Sequence, residues 1–149
     1  MRLTTFTDYS LRVLIYLAGR PEHRATIAEV AAAFDISEHH LVKVVQFLGR
    51  EGVLLNTRGR GGGMQLAHAP SVINVGRVVR RAEGANRPAE CFDDETNTCA
   101  LTGICRLQRV LGDAMKAFYA TLDQYTLEDM RISAPKLATA LHFHPRPTA

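Results

Sequence analysis

The chain has 149 residues, 46% of them apolar and 22% charged, with a formal net charge of +3 and a pI near 9.0. That length suits one domain, or a small domain with an oligomerisation element, and the composition is the ordinary soluble, globular balance that supports a core. The mild basicity permits nucleic-acid binding without arguing for it alone.

Residues 5–18 read as a first helix, with Phe6, Tyr9, Val13 and Tyr16/Leu17 at helical spacing and Gly19 and Pro21 ending it. Its apolar stretch LRVLIYLA, residues 11–18, is interrupted by Arg12. It is also far short of the roughly 20 residues that cross a bilayer, which excludes a membrane span here. No small-residue cleavage site follows, so a buried helix and a cytoplasmic protein with reduced thiols are expected. Within this helix Thr5 and Asp8 match a capping box, and Asp8 with Arg12 is spaced for an i, i+4 ion pair.

A short alanine-rich helix follows, with apolar Ile27, Val30, Ala31 and Phe34. Asp35-Ile36-Ser37 is a tight turn, and Ser37 is a suitable N-cap for the next helix. That helix buries Leu41, Val44, Val45 and Leu48 and stops before Gly52. Two short helices joined in this way, at about 27–50, form a helix-turn-helix pattern. The stretch VLLNTRGRGGGMQLA, residues 53–67, reads as a strand, a glycine-rich turn and a second strand. The expected fold is therefore mainly α with a small β-hairpin wing: a winged helix-turn-helix DNA-binding domain over residues 1–84. Its second helix would present Ser37, Glu38, His39, His40 and Lys43 to the major groove of DNA. Arg58 and Arg60 of the wing would reach phosphates or the minor groove. The glycine tip lacks the lysine and hydroxyl of a nucleotide-binding loop, and no crossover helix follows it.

Beyond the wing, a short helix carries a basic face of Arg77, Arg80 and Arg81 and ends near Gly84. Residues 85–106 form a loop that holds every cysteine of the chain, Cys91, Cys99 and Cys105. Residues 107–131 read as a long dimerisation helix with an apolar stripe at Leu107, Val110/Leu111, Ala114, Ala117/Phe118, Leu122 and Tyr125. Such a stripe needs cover, and a two-fold partner is the usual answer. Residues 132–149, ending in HFHPRPTA, are expected as a flexible tail.

Three thiols suit neither a four-ligand zinc site, with its short C-x₂₋₄-C knuckles, nor a C-x-x-C redox pair. An iron–sulfur cluster fits better, because thiolates spread along a loop can wrap a large inorganic core. Cys105, at the start of the long helix, would place its thiolate at the favourable end of the helix dipole. The acidic run Asp93-Asp94-Glu95 would then point to solvent. One iron still lacks a ligand. Asp8 is a candidate, although spacing alone favours a cap or an ion pair for it. A thiol oxidoreductase is disfavoured for want of a C-x-x-C and a βαβ pattern, so no enzyme is expected; a zinc-binding or thiol-switch DNA protein is a further alternative.

The segments MRLTTFTDYSLRVLIYLA, TRGRGGGMQLA and ECFDDETNTCALTGICRL, the last leading to YTLEDM, resemble the NsrR family of bacterial nitric-oxide-sensing repressors. IscR and RirA are relatives of that family. The likeness runs from residue 1 to about residue 130. It implies a homodimeric winged-helix repressor of operator DNA with an iron–sulfur cluster on Cys91, Cys99 and Cys105. It also implies that the residue matching Asp8 supplies an oxygen ligand from the other subunit, and that nitric oxide destroys the cluster and releases the DNA. A [4Fe-4S] cluster is expected, with [2Fe-2S] as the alternative. Gln108 stands where IscR-like proteins carry a histidine, and TDYSLR stands where RirA-like chains have TNYAVR. A RirA-like iron-responsive regulator is the first alternative reading, and an IscR-like regulator of iron–sulfur status is another.

Overall fold

The computed structural model describes residues 2–59, 61–84 and 87–141. Helix α1, Thr5–Ala18, buries Val13, Leu14, Tyr16, Leu17 and Ala18 and forms one wall of the core. Its N-cap is Thr4, whose Oγ1 accepts the Thr7 N–H at 3.2 Å. The expected Thr5–Asp8 capping box does not form, because the helix starts one residue earlier than that pattern requires. A distant carboxylate accounts for the shift: the Thr4 N–H and hydroxyl both donate to Glu83 Oε1, at 2.8 and 3.1 Å.

Helices α2, Ile27–Phe34, and α3, Glu38–Arg50, make the helix-turn-helix. Thr26 caps α2 by accepting the Glu29 N–H at 3.1 Å, and Asp35 turns the chain with a left-handed φ of 52°. Aspartate tolerates that conformation better than most side chains. Ser37 is the N-cap residue of α3, but its side chain makes no capping hydrogen bond. Leu41, Val44, Val45 and Leu48 of α3 are buried, at the spacing expected. The chain then forms β1, Leu54–Thr57, and β2, Gly63–Leu66, an antiparallel pair with Leu54 opposite Leu66 and Thr57 opposite Gly63. Ala25 and Met64 exchange two backbone hydrogen bonds, of 3.1 and 2.8 Å, and tie the wing to the segment before α2. Gly63 is needed there, since a Cβ would stand 2.8 Å from the Ala25 carbonyl oxygen.

Helix α4, Val75–Glu83, packs against α1, and α5, Arg106–Leu122, packs against α4. Asn74 caps α4, with Oδ1 accepting the Arg77 N–H at 2.8 Å. The long helix expected to run to residue 131 stops at Leu122. Asn74 Nδ2 donates to the Asp123 carbonyl at 2.8 Å, and the backbones of Ile73 and Val75 bond Leu127 and Tyr125. These bonds fold the chain back onto the start of α4 and bury Leu127. Part of the expected tail is also ordered. Residues Ala134–Ala140 form α6, whose Leu137 is buried in the core beside Gly19. Residues 142–149 lie outside the described residues. Among the described residues no helix is long and apolar enough to cross a membrane.

Candidate functional site

Helix α3 divides by its period into a buried stripe and an outward face. Ser37, Glu38, His39, His40 and Lys43 are all exposed on that outer side, as their spacing predicts. Sequence reasoning missed Gln46 and Arg50, which continue the exposed face three and seven residues beyond Lys43. The same helical period could have found them. Helix α1 braces α3 from behind: the Phe6 and Phe47 rings meet edge-on at 5.2 Å, and the Tyr9 and His40 rings lie 6.2 Å apart. His40 is thus in contact with the first helix while remaining exposed.

A polar network fixes α2 on α1. The Tyr16 hydroxyl donates to Glu29 Oε1 at 2.6 Å, and Arg20 and His23 meet the same carboxylate at 3.2 and 2.9 Å. Burial, together with the Glu29 carboxylate, drives the Tyr16 phenol well above its ordinary range. Burial pushes the Glu29 carboxyl up as well, but the hydrogen bonds from Tyr16 and His23 outweigh it and leave Glu29 below the usual carboxylate value.

On the wing, Arg58 is exposed near the tip, whereas Arg60 lies outside the described residues. Asn56 of β1 reaches across to α3, its Nδ2 standing 3.4 Å from the Val45 carbonyl oxygen. The approach is possible because residue 49 is glycine: a Cβ there would stand 2.7 Å from Asn56 Nδ2.

The three cysteines are free thiols, all half-buried, on one stretch between α4 and α5. Cys91 sits in a 3-10 turn, Glu90–Phe92, which Gln108 of α5 holds by donating its amide to the Cys91 carbonyl at 2.6 Å. Cys99 is framed by Asn97, whose Oδ1 accepts its N–H at 3.0 Å, and by Thr102, whose hydroxyl donates to its carbonyl at 2.8 Å. Cys105 is the N-cap residue of α5 and makes no side-chain cap bond, so the first N–H groups of that helix face the thiol end uncapped by it. Asp94 and Glu95 are exposed, and Asp93 Oδ1 accepts the Glu95 N–H at 3.1 Å. The structure therefore places the thiols on one braced loop. It does not gather them at one point: among the described residues no group of three Cys, His, Asp or Glu side chains is arranged to hold a metal ion.

Asp8 stands on α1 with its carboxylate 2.8 Å from Arg12 Nη2, and that side chain is 46% exposed. The Arg12 guanidinium in turn lies 5.9 Å from the centre of the Phe34 ring. The ion pair expected from spacing forms, and no cysteine is joined to Asp8. As a donor set, three uncommitted thiols and one exposed carboxylate match in kind what cluster iron takes: soft sulfur, with one replaceable hard ligand.

The thiol loop runs into an uncovered apolar surface. Leu101 is 56% exposed, Ile104 80%, Leu107 62% and Val110 59%, and none of the 17 residues of α5 is buried. A contiguous apolar face of this kind marks a site of association.

The model of the Rrf2 family, described as iron-dependent transcriptional regulators, matches residues 3–131. The HTH-type transcriptional regulator NsrR of Halalkalibacterium halodurans is 44% identical over 146 residues, 97% of this chain and 100% of that protein. NsrR of Bacillus subtilis is 47% identical over 131 residues, 87% of this chain and 90% of its own. Among solved structures, CymR (YrzC), the global cysteine regulator of B. subtilis, superposes with a TM-score of 0.69 at 30% identity, covering 87% of this chain and 95% of that one. IscR of T. potens superposes with a TM-score of 0.70 at 24% identity, over 87% and 85% of the two chains, and supports the fold.

Proposed function

For a chain that belongs to the Rrf2 family of transcriptional regulators, we propose a homodimeric repressor that binds operator DNA while Cys91, Cys99 and Cys105 hold an iron–sulfur cluster, and that leaves the DNA when nitric oxide damages it. The family consists of regulators and not enzymes, and the winged-helix fold supplies the DNA-reading parts. The observation that carries the cluster reading is the set of three free thiols on one braced loop, next to an apolar helix face with no cover. The two curated relatives compared above, both named NsrR, point to the nitric-oxide signal.

The residues divide the work. Helix α5, with Leu101 and Ile104, pairs two protomers through its exposed apolar face, and each protomer then offers one α3 to a DNA half-site. Asn97 and Thr102 brace the backbone at Cys99, and Gln108 braces it at Cys91. The uncapped N–H groups at the start of α5 would face the negative charge of a cluster held by Cys105. Asp8 is free to turn to a partner's loop, because its pair with Arg12 is exposed and engages one carboxylate oxygen, and breaking it costs about 1 kcal/mol or less. A cluster held by Cys91, Cys99 and Cys105, with Asp8 as its oxygen ligand, would supply iron that reacts with nitric oxide. Its size is taken as [4Fe-4S], with [2Fe-2S] as the alternative.

The test is anaerobic reconstitution of wild type and of Cys91→Ala, Cys99→Ala and Cys105→Ala, with iron, sulfide and operator affinity measured before and after nitric oxide. Each variant is expected to lose the cluster, and wild type to lose operator affinity on exposure. Full iron occupancy in any single variant overturns the ligand assignment. Unchanged operator affinity after nitric oxide overturns the signal and favours the iron-responsive alternative.

A further inference from the structure

The back half of α3 and strand β1 enclose a groove that the recognition-helix pattern does not include. Gln46 and Arg50 form one wall, Leu55, Asn56 and Arg58 the other, and Gly49 lies in its floor. No acidic side chain lines it. Among the described residues, neither Arg50 nor Arg58 has a carboxylate within ion-pair distance. The nearest acid in sequence, Glu51, is hydrogen-bonded by Arg81 at 2.7 Å and feels the Arg50 charge only at longer range. Two guanidinium groups without an ion-pair partner therefore line one groove that holds no acid.

We infer that this groove is a second DNA contact, a seat for one stretch of the phosphodiester backbone beside the major groove that the front of α3 enters. The inference rests on the proposed operator binding and extends it from Lys43 and Arg58 to Gln46, Arg50 and the Gly49–Asn56 contact between them. Guanidinium groups bind phosphate oxygens through paired N–H donors, and Gln46 adds a neutral donor to the same edge. Lys43, Gln46 and Arg50 fall at spacings of three and four along α3, so they lie on one face over about 10 Å of helix, enough to follow neighbouring phosphates of one strand.

The depth of the seat depends on the contact in its floor. Asn56 lies over Gly49, and its amide is held there by the Val45 carbonyl, at 3.4 Å. A methyl at residue 49 would stand 2.7 Å from Asn56 Nδ2. The far end of a flexible side chain yields readily, so the fold survives while the amide is driven out into the groove. Alanine also has the better helix propensity, which preserves α3.

The experiment measures affinity for the operator and for unrelated DNA as a function of salt, with full-length holo-protein. Arg50→Ala is expected to weaken both complexes by a similar factor and to reduce the slope of log affinity against log salt by about 0.9, the value for one phosphate contact on B-DNA. Gly49→Ala is expected to weaken binding while unfolding at the same or higher urea concentration. Adding Asn56→Ala to Gly49→Ala is expected to restore affinity to that of Asn56→Ala alone. An Arg50→Ala slope equal to wild type overturns the seat, as does a double variant that binds as poorly as Gly49→Ala. Either result leaves the repressor reading intact so long as wild type still binds its operator with a steep salt dependence. Loss of wild-type binding itself would instead remove that reading.

Discussion

Asn74→Ala tests how α5 is held, and its cost can be worked from the bonds described. The side chain caps α4 through the Arg77 N–H, at 2.8 Å, and clamps the end of α5 through the Asp123 carbonyl, at 2.8 Å, and the Tyr125 carbonyl, at 3.3 Å. Loss of an asparagine cap costs about 1 kcal/mol. The amide donates to two neutral carbonyls, one at good distance and one long, and their loss adds about another 1 kcal/mol. The total is about 2 kcal/mol, or roughly 4–8 °C in Tm for a chain of this size. Urea unfolding at one fixed protomer concentration is the measurement, because association contributes to apparent stability. Asn74→Ser keeps a capping oxygen and loses the clamp, so it should cost about half as much. The backbone bonds of Val75 and Leu127 remain in both variants and keep the chain folded back. A change below about 0.5 kcal/mol in Asn74→Ala would refute the reasoning, and equal losses in the two variants would refute the division between cap and clamp.

Asp8→Ala should leave stability nearly unchanged, since the Arg12 pair is exposed, but should alter the absorption spectrum of the reconstituted protein and lower operator affinity; Asp8→Cys should restore a fourth ligand and slow the reaction with nitric oxide. Identical spectra and rates in wild type and both variants would leave Asp8 as the partner of Arg12 alone. Lys43→Ala should weaken binding to all DNA sequences and lower the salt slope by about one unit, read from a salt titration of affinity. Glu29 has a folded pKa held below its ordinary value of 4.5, so its contribution to stability is present above that pH and is lost as pH falls through the lowered value. Glu29→Gln should therefore flatten the acid limb of the stability profile below pH 4.5 relative to wild type.

The parts of the molecule that follow from local rules were readable in advance. The stripe Leu41, Val44, Val45 and Leu48 gave α3 its buried side, and the same period carried Ser37 to Lys43 outward. The glycine-rich tip between Leu54 and Leu66 announced the wing. What was not legible depends on residues far apart in the chain. Helix α1 is capped by Thr4 and not by Thr5, and Glu83, 79 positions away, accepts from Thr4. Helix α5 ends early because Asn74 captures the carbonyls of residues 123 and 125. Helix α6 forms within the expected tail because Leu137 finds a place beside Gly19. At the candidate site the types of donor were evident from composition, whereas Asp8 pairs with Arg12 in the chain as folded and the three thiols share a loop without converging.

The two backbone bonds between Ala25 and Met64 have a mechanical effect on the proposed dimer. They join the hairpin to the lead-in of α2, while Leu54 and Met64 seat it in the same core as α3, so hairpin and helices behave as a single stiff jaw. Such a jaw cannot trade reach at its tip against depth at its helix, because both are set when the domain folds. An operator whose grooves are spaced differently has to be met by opening or closing two jaws about the α5 contact, as a caliper is set. The thiol loop lies beside that hinge, where a small displacement is multiplied along the arm before it reaches the DNA.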